Sequence, residues 1–137
     1  MEKTSAIQTG NNDWFLALFI DMANKNDFEL GITLTSHGFL VSGILIGGQK
    51  YFDGIAEEFA SAFNDAEGLK ETFSDMGKKV YDKPKNDEPA NPPTFIHLKD
   101  AKFFHPNGQP IPANRGVWWR GRLSEISGFS LGNLSVN

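Results

Sequence analysis

Hydrophobic and polar positions change their period several times along the chain, and each change marks an element. Behind Asp13, a good N-cap residue, Trp14, Leu18 and Met22 run at i, i+4, i+8, as do Phe15, Phe19 and Ala23. This spacing predicts a helix through WFLALFIDMANK whose wide apolar face covers a sheet. Leu16 and Ile20 fall off that stripe, so the helix is expected either to be buried on more than one side or to touch another subunit. From Phe28 to Thr35 the period drops to two, with Phe28, Leu30, Ile32 and Leu34 on one side and Glu29, Gly31, Thr33 and Thr35 on the other, as in a half-buried strand. A short turn at Ser36, His37 and Gly38 leads into Phe39 to Ile46 (FLVSGILI), and the two strands read as a hairpin. Gly43 in the middle of the second strand predicts a strong bend.

Gly47 and Gly48 end or kink that strand, and Lys50 to Ile55 (KYFDGI) is expected to continue it. Ala56 to Tyr81 then turns helical, with Phe59 and Phe63 on one face, Leu69 and Phe73 on another, and a break over Asn64 to Gly68. Asp82 to Pro93 (DKPKNDEPANPP) holds four of the seven prolines and no large apolar residue, which predicts an extended, exposed loop. Phe95 to Phe104 (FIHLKDAKFF) is a third strand, and His105 to Pro112 a loop. Gly116 to Gly132 (GVWWRGRLSEISGFSLG) reads as two short, sharply bent strands.

With 137 residues, 39% of them hydrophobic, and 12 phenylalanines, the chain has material for one packed domain. The absence of cysteine excludes a disulfide framework and a thiolate metal site, and fits a reducing cytoplasm. Residues 1–12 lack an apolar stretch and read as a flexible tail rather than a signal peptide, and no segment approaches the roughly 18 apolar residues of a membrane span. Charge is unevenly spread. Up to Pro93 eight lysines face fifteen acidic side chains, and beyond it five basic residues face two acidic ones. The net charge of −4 repels polyanions at long range, which makes nucleic acid an unlikely partner.

Candidate chemistry is sparse. His37, His97 and His105 match no zinc spacing, no serine lies in a nucleophile elbow, and Gly47–Gly48 lacks the Lys-Ser/Thr of a phosphate loop. His37 is expected to be exposed in its turn, and His97 to face solvent or a polar contact. Glu57 and Glu58 diverge by about 100° on a helix, which argues against a catalytic carboxylate pair. No catalytic residue, cofactor or metal site is therefore expected. One constellation stands out: Arg115, Arg120 and Arg122 with Trp118 and Trp119. On a strand Trp118, Arg120 and Arg122 share one face, and Trp119, Gly121 and Leu123 the other. The arginines could be satisfied by acids on a neighbouring strand, could accompany base stacking on a nucleic acid, or could form a protein-binding patch of the Trp and Arg type.

Two resemblances bear on the choice. Ile32 to Ile55, with Gly38, Gly43 and Tyr51, is similar to the first motif of Sm-like proteins, and Ile96, Leu98 and Ala101 followed by Trp119, Arg120 and Gly121 are similar to the second. This implies a small, strongly bent antiparallel sheet forming a partly open barrel; with the elements read above, residues 13–137 make one α+β domain with an N-terminal helix, a helical insert at 56–81 and a Pro-rich loop at 82–93, the stretch from Ala56 to Pro93 departing from that family. In that family an Asn of the first motif and the Arg-Gly of the second form a uridine pocket. Here Asp53 stands in place of the Asn, and a carboxylate disfavours RNA. The broader resemblance is to the U-type gas vesicle accessory proteins (GvpU). It rests on GITL at Gly31 to Leu34, KYFDGIAEEFA at Lys50 to Ala60, FIHLKDAKFF, and above all GVWWRGRLSEISGFSLG. It implies a bacterial, cytoplasmic, non-enzymatic accessory factor whose partners are gas vesicle shell or accessory proteins. A small open sheet also leads one to expect a homo-oligomer. The candidate partner-binding residues are Arg115, Trp118, Arg120 and Arg122, and the alternative is an Sm-like RNA binder.

Overall fold

The computed structural model describes residues 12–63, 67–81, 92–109, 111 and 115–134. The expected tail over residues 1–12 and the Pro-rich loop over 82–93 fall almost wholly outside them. Helix α1 (Trp14–Asn26) starts where the capping argument puts it, because the Asp13 carboxylate accepts from the Phe15 and Leu16 amides at 2.9 and 3.3 Å. Strands β1 (Leu30–Ser36) and β2 (Phe39–Ile46) follow as an antiparallel hairpin. Its turn consists of His37 (φ 52°) and Gly38 (φ 80°), the paired positive dihedrals of a tight two-residue loop matched to strand twist.

The chain after β2 departs from expectation. Lys50 to Ile55 does not extend the strand; helix α2 spans Gly48–Ala62, absorbing that segment and the first part of the expected insert. The Asn24 side chain, at the end of α1, accepts the Gly48 amide at 2.9 Å, so a helix N-terminus is satisfied by tertiary contact rather than by a local cap. Helix α3 (Glu67–Tyr81) turns back against α2, with Phe59 packed on Phe73 at 4.9 Å between ring centres. Strand β3 (Phe95–Phe104) has the expected bounds. The Gly116 to Gly132 run divides into strand β4 (Val117–Arg122), a 3-10 turn (Leu123–Glu125) and strand β5 (Gly128–Leu131).

The five strands form one antiparallel sheet in the order β4-β3-β2-β1-β5, which stays open with β4 and β5 as its edges. The expected bend at Gly43 is present. The β2/β3 register shifts between Ser42 and Ile44, and a Cβ on Gly43 would lie 2.9 Å from the Lys99 carbonyl oxygen and 3.0 Å from the Ala101 Cα.

One sheet face carries Ile32, Leu34, Val41, Leu45, Ile96, Leu98 and Ala101, and α1 closes over it with Leu16, Ile20 and Ala23, each no more than 1% exposed. This reverses the expected orientation of the helix. Leu16 and Ile20, which fall off the sequence stripe, are its core side, whereas Trp14, Phe15 and Leu18 are each about half exposed. The helix is apolar nearly all round, so period alone cannot choose a face. Ridge packing on the sheet chooses the smaller aliphatic side, and Phe15 and Phe19 move to the rim, against Phe129 at 5.9 and 6.1 Å.

Candidate functional site

The opposite sheet face is polar at its centre and aromatic at the β3/β4 end. At the centre, the Thr33 and Ser42 hydroxyls meet at 3.0 Å, Thr33 donates to the Gly132 carbonyl and the Leu134 amide donates to Ser42 Oγ. The sheet end is covered by the α2/α3 hairpin. Lys50 of α2 and Lys99 of β3 both reach the Glu29 carboxylate, at 2.6 and 2.8 Å, and together they hold Glu29 below the usual carboxylate range.

Under the hairpin lies His97, fully buried, where the sequence pattern suggested solvent or a polar contact. Tyr51 and Phe52 of α2 and Tyr81 of α3 surround its ring at centroid distances of 4.9, 6.4 and 5.2 Å. Arg120 Nε donates to His97 Nε2 at 3.2 Å, and the Tyr81 hydroxyl lies 3.4 Å from the same nitrogen. An Nε2 that accepts places the proton on Nδ1, which has no partner. Burial first, and the Arg120 charge second, push the imidazole down to about 3, so the ring is neutral.

Arg120, although exposed to solvent, is therefore engaged by groups of its own chain. Its guanidinium stacks 3.7 Å from the centre of the Phe95 ring and 5.6 Å from that of Phe52, while Arg122 lies 6.0 Å from Phe95. The four expected partner-binding residues thus separate. Arg115, Arg120 and Arg122 are all exposed, Trp118 is half-buried against Gly54 of α2, and the Arg120 guanidinium also contacts His97, Phe95 and Phe52, between the hairpin and the sheet. The predicted two-sided use of β4 holds, since Trp119 packs on the core and Leu123 is buried. Sequence reasoning missed Glu57 and Glu58 as neighbours of Trp118. Their signal was the small residues Gly54, Ser61 and Ala62 at helical spacing around them, which together with Trp118 line one groove. Among the described residues no cluster of three His, Asp or Glu could hold a metal ion.

The family of gas vesicle proteins described as GvpU-like matches residues 13–134, from the α1 cap to the segment after β5. The chain belongs to the GvpU-like family. The match takes in every strand and helix described above, so the hairpin and its docking cluster lie within the family region rather than forming an appended module. No curated protein and no solved structure matches the chain. No described helix of this GvpU-like chain is long and apolar enough to cross a membrane.

Proposed function

We propose that this chain is a non-enzymatic, cytoplasmic accessory protein that acts in the assembly, organisation or clustering of gas vesicles. It works through self-association and through contacts with vesicle shell or accessory proteins. The observation that carries this reading is the GvpU-like match over residues 13–134. Self-association draws support from one end of the fold. Trp14, Phe15 and Leu18 of α1 are 51, 45 and 48% exposed and Leu131 of β5 is 60% exposed, and Phe15 meets Phe129 of β5, a sheet edge with no further strand partner among the described residues. Multivalent contact of this kind links particles without any single tight site.

RNA binding draws little support. Asp53 lies inside α2 rather than in a loop after β2, and Arg120 of the Arg-Gly pair is occupied by Phe95 and His97. Cosedimentation with purified gas vesicles tests the proposal: the protein is expected to pellet with vesicles at low and moderate salt, and its remaining in the supernatant under both would refute it. An oligouridine titration is expected to stay flat at low salt.

A further inference from the structure

Between α2 and β4 runs an open groove of about 570 Å3, lined by Gly54, Glu57, Glu58, Ser61, Ala62 and Trp118. The helix residues recur at i, i+3, i+4, i+7 and i+8, so they form one wall, and the Trp118 indole forms the other. Three of the five helix residues are too small to overhang the indole. The two long ones both end in carboxylates. Glu57 is only loosely paired, 3.7 Å from Lys70 Nζ, and Glu58 makes no ion pair among the described residues. An aromatic face bordered by two solvated carboxylates is complementary to a cation that is also flat: its plane stacks on the indole while its N–H groups reach a carboxylate.

We propose that this groove receives an arginine side chain of a partner protein. Two of the chain's three arginines, Arg120 and Arg122, turn their guanidinium groups to Phe95 and not to the groove. Nor is the occupant best supplied by a second copy. The apolar surface suited to self-association lies along α1 and β5, at the far edge of the sheet from β4 and, for α1, on the other face. The groove thus deepens the proposed accessory role by naming the chemistry of one partner contact, and it rests on that role.

The test uses the full chain and NMR signals of the Trp118 indole N–H. The probes are an end-blocked peptide of one arginine between two glycines and its citrulline counterpart, which keeps the shape and removes the charge. The arginine peptide is expected to shift the Trp118 signal saturably, and the citrulline peptide to leave it in place. Glu58→Gln, an exposed change that keeps the fold, is expected to weaken binding by about 2- to 5-fold, the range for an exposed ion pair or cation–π contact. Trp118→Leu, should it remain folded, loses the stacking and a similar factor. Equal response to citrulline, or an unchanged affinity in Glu58→Gln, overturns the groove assignment.

Vesicle cosedimentation separates the two proposals. Wild-type binding that Glu58→Gln leaves untouched overturns the groove and leaves the gas vesicle role standing. Wild-type protein that never binds vesicles overturns that role, while the peptide titration still decides the groove. Loss of self-association in Glu58→Gln by sedimentation velocity would assign the groove to a second copy and overturn the proposal.

Discussion

His97 makes the stability of this fold depend on pH in a window that can be stated in advance. Its ring lies in a fully buried aromatic enclosure and accepts at Nε2 from Arg120, an arrangement that only the neutral imidazole satisfies. Protonation would turn Nε2 from acceptor to donor, pointing N–H at the donor Nε of a cation. The folded chain holds the pKa at about 3 against an ordinary value of 6.5. A depressed folded value means that the unfolded chain takes up the proton first. The contribution is therefore fully present above pH 6.5, falls by about 1.4 kcal/mol per pH unit below it, and is exhausted near pH 3. The whole span amounts to about 5 kcal/mol, and the part between pH 6.5 and 4.5 to about 2 to 3 kcal/mol. That is a large share of the roughly 5 to 15 kcal/mol that stabilises an ordinary domain.

His97→Phe removes the titration while keeping a ring among Tyr51, Phe52 and Tyr81. It also removes the unpartnered Nδ1 hydrogen, whose burial costs about 1 to 3 kcal/mol, against the loss of the Arg120 hydrogen bond. Urea denaturation at pH 7 and pH 4.5 separates the terms. Wild type is expected to lose about 2 to 3 kcal/mol more than His97→Phe on going to pH 4.5. His37 and His105 are exposed and common to both proteins, so they cancel in the difference. Equal losses in the two proteins, or an NMR titration placing His97 near 6.5, would refute the reasoning.

Other positions give independent checks. Arg120→Ala is expected to cost about 1 to 2 kcal/mol in urea denaturation, from the lost stacking on Phe95 and the bond to His97, whereas Arg122→Ala should fall within about 0.5 kcal/mol of wild type. Gly54→Ala gains up to about 1 kcal/mol of helix propensity, yet its Cβ would enter the Trp118 ring. A net loss of about 1 to 2 kcal/mol is expected, with a shifted Trp118 indole signal. Asp13→Ala removes the acceptor of two α1 amides and should lower stability by about 1 kcal/mol by thermal or urea melts, without moving the Trp118 signal.

Elements with a local cause were legible in the sequence, and those with a tertiary cause were not. The bounds of β2 and β3 follow from apolar runs closed by turn residues, and the start of α1 follows from Asp13. The start of α2 does not, because its first amide is satisfied by Asn24 from another element, and Gly47–Gly48 reads equally as a strand kink. The inward face of α1 was hidden for a related reason: with apolar side chains on all sides, the choice falls to what the sheet can accommodate. At the candidate site, the alternation that put Trp118, Arg120 and Arg122 on one face was sound. It could not tell that the same face meets α2 and α3, which is what buries His97 and engages Arg120.

That covering hairpin also divides the surface in a way that bears on how a small accessory protein could link larger bodies. Helix α1 spends its aliphatic side on the core and leaves Trp14, Phe15 and Leu18 outward, next to the β5 edge; α2 spends Tyr51 and Phe52 on His97 and leaves Glu57 and Glu58 outward, next to Trp118. The first surface is apolar and insensitive to salt, whereas the second is acidic and weakens as salt screens it. A chain that pairs with itself through one and grips a partner through the other is bivalent as a monomer and multivalent once associated. The two functions should therefore separate experimentally. Raising salt is expected to release the protein from vesicles before it dissolves self-association, and Leu18→Glu, at a half-exposed α1 position, is expected to do the reverse.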